Sequence, residues 1–317
     1  MISRRLLRLR IMQIVYAYFL KPTENINQVE TELFNSIHKT YELFHYLMSF
    51  SLDLRQYAQN KQDTIKNRYI RTKQEVELNN NFLSNKLLTL IESNHDLQTF
   101  LNNYKFSWVL YPELTKNCYN TFIETNYFKE YQQLKQPSFK EDKEVIAKLY
   151  TEVIATDDEM IQSLEEMSIY WNDDFEFVIS NVVETLNKFK LEKGAYNPLP
   201  AMYKCEDDIS FVKNLFRKCI LHHNEHREII EKYLKNWEAD RIAVLDMIIL
   251  ELALTELYCL DDIPVKVTLN EYIDLSKYYS TEKSSVFING ILDKIVHDGR
   301  ADGKIVKRGK GLIGETK

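Results

Sequence analysis

The chain has 317 residues and a formal net charge of −6 at pH 7, with only seven glycines and six prolines. That glycine and proline content is about a third of the average share, and Gly194 is the first glycine in the chain. The scarcity excludes glycine-rich phosphate-binding loops, which need clustered glycines. It also excludes sandwiches and barrels of many short strands, which need a turn about every 8–12 residues. The sequence therefore predicts an all-α protein.

Charge is distributed unevenly along the chain. Residues 1–21 hold four arginines, one lysine and no acid, and the last residues are also basic, whereas the middle is strongly acidic. Basic ends are compatible with nucleic-acid contact and equally with ordinary surface chemistry. The four cysteines form no C-x-x-C pair, which fits a reducing compartment. No run reaches the roughly 18 apolar residues of a membrane span, so we expect a cytoplasmic protein without membrane contact.

The apolar spacing predicts helices along most of the chain. The first runs from about Arg4 to Leu20 and is stopped by Pro22. Further helices are predicted over about 27–60, 62–103, 108–135, 141–155 and 157–170. We expect a Thr156–Glu159 capping box to start the last of these. The next helix should be capped by Asp173 or Asp174 and end at Gly194 in the left-handed C′ role. Residues 157–176 contain eight acids and no base, which indicates a solvated face or an acidic partner surface.

The segment Tyr196–Pro200 contains two prolines and cannot be helical, so it is the best internal boundary. After it we expect a helix capped by Asp207 or Asp208 and an almost wholly apolar helix from about 240 to 260, typical of a bundle centre. A second capping box, Thr268–Glu271, should open a helix to about Tyr278, and a last helix should span about 284–296. The tail, 297–317, has no periodicity and is predicted to be flexible and basic.

Motifs for catalysis or metal binding are weak. His222, Glu225 and His226 match the H-x-x-E-H pattern of inverted zinc peptidases, and Cys219 lies one helical turn earlier. The pattern is short, however, and Cys219 and His222 can simply join an apolar stripe. No nucleophile motif is present. We therefore expect no catalytic residue, no metal and no cofactor.

Two acids of the apolar helix, Asp246 and Glu256, differ in their expected surroundings. Asp246 lies in the middle of the helix, where a buried acid usually has a basic partner, so we expect an intramolecular structural pair. Glu256 is near its end and is expected to be exposed. In the first helix, Arg5, Gln13 and Tyr16 share one face. They supply a phosphate donor, an amide for base edges and a stacking ring, which are the residue types that bind single-stranded RNA.

Two separated segments carry a resemblance to a known family. The residues concerned are Arg4-Arg5…Met12-Gln13-Ile-Val-Tyr16-Ala17, the stretch from Trp237 to Leu257, Asp262-Ile-Pro-Val-Lys266, Asp274-Leu-Ser-Lys277-Tyr-Tyr279 and Phe287-Ile-Asn-Gly290-Ile-Leu-Asp293-Lys294. They resemble the NusB family over residues 1–20 and 207–296. Residues 25–205 have no counterpart and look like a helical insertion of open role after the first helix. The resemblance implies an all-α, NusB-like helical bundle with an inserted helical region.

The resemblance also implies a function. Members of the family are non-enzymatic transcription antitermination factors. They bind boxA-like RNA of nascent ribosomal transcripts together with NusE, a ribosomal small-subunit protein, within an RNA polymerase antitermination complex. Transferred by position, the RNA-binding residues are Arg4, Arg5, Arg8, Gln13, Tyr16, Lys277, Tyr279 and Phe287. Lys283 departs from the family, which commonly has an acid there, and joins the candidate RNA-binding residues as a further phosphate contact. The residues on the helix that resembles the NusE-contacting one are Asp246 and Glu256.

An alternative of another class stays open from the sequence. In it the chain is a helical protein-interaction scaffold whose insertion docks a basic or ribosomal partner, with RNA binding secondary. The fused RNA methyltransferases that carry the same domain are excluded, because their cofactor loop and catalytic sheet have no place in this chain.

Overall fold

The computed structural model describes residues 1–21, 25–66, 80–104, 106–234 and 242–308. In these ranges every regular element is a helix, and β pairing is limited to an isolated bridge between Ile2 and Tyr203. The all-α prediction is therefore confirmed. Among the described helices, none combines the length and the apolarity needed to cross a membrane.

The described residues form α-helices in both parts of the chain. In the first two thirds of the chain they are α1 (Arg4–Leu20), α2 (Ile26–Lys66), α3 (Lys86–Glu92), α4 (His95–Asn103), α5 (Pro112–Glu124), α6 (Asn126–Gln133), α7 (Phe139–Lys148), α8 (Asp158–Met167) and α9 (Phe175–Lys188). After residue 200 they are α10 (Asp207–Leu221), α11 (His223–Tyr233), α12 (Val244–Cys259), α13 (Val265–Tyr279) and α14 (Ser284–Ala301).

The chain divides into two compact units. The central unit comprises Met1 and residues 38–202, and the terminal unit comprises residues 2–37 and 203–317. The boundary between them falls inside α2, at residues 37 and 38.

The predicted first helix, Arg4–Leu20, is confirmed by α1, whose N-terminus is capped by the Ser3 hydroxyl. Long helices predicted over 62–103 and 108–135 are wrong, because polar caps interrupt both stretches. Asn85 and Asn94 accept hydrogen bonds from the first turns of α3 and α4, and Thr125 caps α6 in the same way. These caps start new helices where apolar spacing alone indicates continuation. Residues 67–79 lie outside the described residues.

Two further predicted helix boundaries also differ from the structure. α8 is capped by Asp157, whose carboxylate accepts from the Glu159 and Met160 amides, so the capping residue is one position later than predicted. α9 ends at Lys188, before Gly194. The Asn197 side chain closes the following turn by bonding to the backbone of Lys190 and to the Gly194 carbonyl. Gly194 adopts its positive φ of 51° within that turn, so it is not the C′ residue of the helix.

The terminal unit is centred on α12, which is buried on every side from Asp246 to Leu257. The prediction of a central apolar helix is confirmed, although its expected start at Asp240 lies outside the described residues. α13 begins at Val265, directly after Pro264. Thr268 is therefore inside the helix, and its hydroxyl donates to the Glu256 carboxylate at 2.7 Å. The predicted Thr268–Glu271 capping box is wrong because this buried acceptor takes the threonine hydroxyl.

The predicted flexible tail is wrong for residues 297–308. α14 continues to Ala301, and the Ile305 side chain packs in a small core with Leu257, Val265 and Val296. The Lys307 ammonium donates to the carbonyls of Glu256 and Leu260, both at 2.8 Å, at the C-terminal end of α12. Ile305 fits because Gly299 has no side chain there. A Cβ on Gly299 would be 2.7 Å from the Ile305 Cδ1.

We expect Gly299→Ala to lower the free energy of unfolding by about 1 kcal/mol, because the new methyl group displaces Ile305. Gly290→Ala is the matched control in the same helix, where a Cβ would have no neighbour within 4 Å. It should raise stability by about 0.5–1 kcal/mol, the usual gain from replacing a helical glycine. Urea unfolding followed by circular dichroism measures both. Equal stabilisation by the two variants would contradict the close packing at Gly299.

Candidate nucleic-acid interface

The basic helix α1 is attached to the terminal unit by a buried ion pair. The Arg8 Nε and one terminal nitrogen donate to the two oxygens of Glu256, each at 2.8 Å. The side chains are only 2% and 0% exposed. Burial by itself lowers the pKa of Arg8, but the hydrogen bonds and charge of Glu256 outweigh it and raise that pKa above its usual value. Arg8 therefore stays charged inside the core.

Glu256 also accepts from the hydroxyls of Thr268 at 2.7 Å and Tyr272 at 3.3 Å. One carboxylate of α12 thus binds side chains from α1 and α13. Two sequence predictions change as a result. Arg8 is removed from the candidate RNA surface, because its guanidinium is enclosed and bidentate on Glu256. The prediction that Glu256 is exposed is wrong, and the fully buried carboxylate is removed from the candidate partner contacts.

Asp246 is also buried, at 6% exposure. Its two oxygens accept from the hydroxyls of Ser280 at 2.5 Å and Ser284 at 2.7 Å. The expected intramolecular pairing is therefore present, but the expected basic partner is wrong: the partners are two hydroxyls, at the end of α13 and the start of α14. Because both oxygens are used in this way, Asp246 is removed from the candidate partner contacts. Its role is to hold the connection 280–283 in place.

A cleft of about 540 Å³ brings three of the predicted RNA-binding residues together. Gln13 and Tyr16 line it from α1, and Tyr279 lines it from the end of α13. The Tyr16 side chain is 37% exposed. The remaining lining residues are Met12, Ala243, Val244, Leu245, Ser280 and Thr281. The cleft thus combines two phenol rings and an amide with a largely apolar wall.

Two predicted phosphate donors lie close together on α1 and α13. Arg5 and Lys277 both contact the Asp274 carboxylate, at 3.3 and 2.9 Å. These contacts, that of Lys277 first, lower the pKa of Asp274. Both cations are about half exposed, so the shared carboxylate leaves each of them accessible to solvent. Lys283 is exposed in the connection before α14.

Two other predicted residues, Arg4 and Phe287, mainly contact the rest of the protein. Arg4 donates to the buried Asp208 of α10 at 2.9 Å, and its guanidinium lies 5.1 Å from the Phe211 ring centre. A third of its side chain remains exposed. Phe287 is half-buried in α14. Arg4 therefore joins α1 to α10, and Phe287 presents only part of its ring to solvent.

Sequence reasoning missed Tyr278, which is 75% exposed. The Arg5 guanidinium lies 5.9 Å from the centre of its ring. A signal was available, because Asp274, Lys277 and Tyr278 follow the i, i+3, i+4 spacing of one helix face. The roles of Ser280 and Ser284 had no local signal, since their acceptor is 34 and 38 residues away in the chain.

The H-x-x-E-H segment lies at the start of α11, with His222 as its N-cap. His222 Nδ1 contacts the Glu225 carboxylate at 2.9 Å, and the His222 and His226 rings stack with centres 5.6 Å apart. His223 contacts the buried Glu251 carboxylate at 2.7 Å, and His226 contacts the Thr255 hydroxyl at 3.2 Å. Burial lowers the pKa of His226 to about 4. Across the described residues, no three His, Cys, Asp or Glu side chains are grouped so as to hold a metal ion.

Comparison with known proteins finds similarity in the C-terminal part of the chain. The NusB family model matches residues 202–297. The transcription antitermination protein NusB of Salinibacter ruber is 43% identical over 104 residues, 33% of this chain and 65% of that protein. NusB of Chloroherpeton thalassium is 37% identical over 132 residues, 40% of this chain and 61% of that protein.

The chain spans 65%, 61% and 50% of the length of three curated NusB relatives that it matches, the third being that of Natranaerobius thermophilus. A solved NusB from T. maritima aligns with 44% of this chain and 85% of its own, at 26% identity and a TM-score of 0.28. The similarity of residues 202–297 to the NusB family rests on the sequence match.

We expect Glu256→Gln to lower the free energy of unfolding by about 3–5 kcal/mol, because it leaves the Arg8 charge buried without its counter-ion. Arg5→Ala breaks the exposed pair with Asp274 and is the control, with an expected cost of about 0–1 kcal/mol. Urea unfolding of each variant gives the comparison. A Glu256→Gln variant as stable as Arg5→Ala would contradict the burial of the Arg8–Glu256 pair.

Proposed function

Because residues 202–297 form a NusB-family domain, we propose that the chain is a non-enzymatic, cytoplasmic transcription antitermination factor that binds RNA. The proposed ligand is a boxA-like single-stranded segment of nascent ribosomal RNA. The proposed partners are NusE and the RNA polymerase antitermination complex. The observation that carries the RNA-binding proposal is the cleft in which Gln13, Tyr16 and Tyr279 meet.

The cleft has the chemistry that unstacked bases require. Its volume of about 540 Å³ lies within the range of about 300–1,000 Å³ typical of small-ligand pockets. The rings of Tyr16 and Tyr279 provide stacking surfaces, and such stacking contributes about 1–3 kcal/mol per base. The Gln13 amide, whose oxygen accepts from Arg10 at 2.8 Å, is the group of the cleft that can hydrogen-bond a base edge. We infer that bases enter this cleft and that their edges are read at Gln13.

The exposed cations near the cleft are the proposed phosphate contacts. Arg5 and Lys277 lie on α1 and α13, the helices that supply the cleft residues, and Lys283 lies in the connection after Tyr279. Three phosphate contacts predict a slope of about −2 in a plot of log affinity against log salt for single-stranded RNA. A NusE contact has to use residues other than Asp246 and Glu256, because both of those carboxylates are buried.

We expect Tyr16→Ala to weaken binding of a fluorescein-labelled boxA-type RNA about tenfold, because a stacking surface is lost. Tyr16→Phe keeps the ring and should bind within about twofold of the unaltered chain. Tyr196→Ala is the control, since Tyr196 is a still more exposed tyrosine of the central unit, at 79%. Fluorescence anisotropy measures the three affinities. Unchanged binding by Tyr16→Ala would remove the cleft from the RNA surface.

Arg5→Ala should weaken the same RNA several-fold and make the salt slope less negative by about 0.7, the effect of one lost phosphate contact. Lys140→Ala is the control, because the Lys140 side chain is 84% exposed and belongs to the central unit. A titration at several salt concentrations gives both slopes. Identical slopes for the two variants would contradict a phosphate contact at Arg5.

A further inference from the structure

Three large aliphatic side chains of the central unit face solvent. Val109 and Leu110, in the 3₁₀ turn Trp108–Leu110, are 75% and 73% exposed. Ile169, in the 3₁₀ turn Ile169–Trp171, is 77% exposed. Single exposed apolar residues are common on protein surfaces, whereas neighbouring ones mark interaction sites. What matters is therefore whether the two turns lie close together.

Both turns are attached to one face of α2 by a tryptophan. The Trp108 indole N–H donates to the Tyr46 carbonyl, and the Trp171 indole N–H donates to the Lys39 carbonyl, each at 2.8 Å. Residues 39 and 46 are seven positions apart, so they lie on the same face of the helix and about 10 Å apart along its axis. The rings of Tyr46 and Trp171 are also in contact, with centres 5.9 Å apart. The tryptophans that anchor the two turns therefore both pack beside Tyr46 of α2.

The tryptophans also hold the turns firmly in position. Trp108 is 1% exposed and Trp171 is 4% exposed, so each turn is fixed by a buried indole and a hydrogen bond. Val109, Leu110 and Ile169 are thus presented outwards by well-packed segments. A partner that binds them meets a preformed surface, which reduces the entropy lost on association.

An acidic helix adjoins this apolar surface. α8 leads through Ser168 directly into the turn that carries Ile169. Its first turn is tied to α5, the helix after Leu110, by a 2.9 Å hydrogen bond from Asn117 to Glu159. The exposed acids of α8 are Asp158, Glu159, Glu165 and Glu166. No lysine, arginine or histidine occurs among residues 149–187, so this part of the sequence supplies no positive charge to offset them.

We propose that this surface, formed by Val109, Leu110, Ile169 and the exposed acids of α8, docks a basic amphipathic segment of a partner protein. Apolar side chains of the partner would cover the three aliphatic residues, and lysines or arginines would face α8. Charge complementarity selects this occupant. Phosphate groups of RNA and anionic lipid headgroups are both repelled by the same carboxylates. The proposal concerns the central unit and does not depend on RNA binding by the terminal unit.

A synthetic helical peptide of 18 residues, with leucines on one face and lysines on the other, is the probe. It should bind the full-length chain in 150 mM salt, measured by fluorescence anisotropy. Two matched peptides distinguish the apolar from the electrostatic contribution to binding. One has serine in place of leucine, and the other has glutamate in place of lysine. Both should bind at least tenfold more weakly. Equal binding of the lysine–serine peptide would overturn the proposal, because it would show that the peptide binds through charge alone and makes no use of the three aliphatic residues.

Variants of the chain locate the site. The double variant Val109→Ser/Leu110→Ser and the double variant Glu165→Lys/Glu166→Lys should each weaken the leucine–lysine peptide at least tenfold. Leu191→Ser and Glu192→Lys are the controls, because both residues are exposed in another turn of the central unit. They should leave the affinity unchanged. Circular dichroism verifies that every variant keeps its helicity. Equal losses in the control variants, or no loss in the two double variants, would overturn the proposal.

A photo-crosslinking residue at Leu110, expressed in cells, identifies the natural occupant. The crosslinked peptide should come from another protein and carry an amphipathic run rich in lysine and arginine. Crosslinks to RNA, to lipid or to a second copy of this chain would overturn the choice of partner. The same residue placed at Leu191 measures the background.

Discussion

The buried pair between Arg8 and Glu256 determines how the candidate interface is assembled. α1 is separated from the C-terminal part of its unit, residues 203–317, by more than 160 residues of chain, so no contact local in sequence orients it against α12 and α13. The bidentate pair fixes the rotation of α1, since a turn of the helix about its axis would remove Arg8 from its buried acceptor. Once that rotation is set, Gln13 and Tyr16 follow at five and eight positions along the helix. They therefore face the cleft next to Tyr279.

A buried ion pair is an uncertain source of stability, because the desolvation of two charges offsets much of their attraction. In the terminal unit, the contribution of the Arg8–Glu256 pair is to fix how the helices pack. Glu256 accepts from Arg8, Thr268 and Tyr272 together, so alternative packings of α1, α12 and α13 would leave charged or hydroxyl groups unsatisfied. The Asp246 carboxylate acts similarly on the connection 280–283. Two carboxylates of one apolar helix thus define both sides of the candidate RNA cleft.

The central unit is built differently and presents a different surface. Its long helix α2 supplies backbone carbonyls to two tryptophan indoles, and the turns that carry these rings expose aliphatic side chains beside an acidic helix. The terminal unit combines cations with phenol rings. Because the two surfaces carry opposite charge, the proposed RNA binding and the proposed protein docking use different residues.

The sequence by itself determined the helical class, the first helix, the central apolar helix and the family resemblance of the C-terminal part. These depend on composition, periodicity and local motifs, which are properties of short stretches. Helix boundaries at Asn85, Asn94 and Lys188 were missed, because capping and turn closure depend on particular side-chain contacts. The surroundings of Arg8, Asp246, Glu256 and Ile305 were decided only by the tertiary structure. Each is buried against residues distant in the chain. Once buried, the three charged residues hydrogen-bond to neighbouring helices and are no longer available to an external partner.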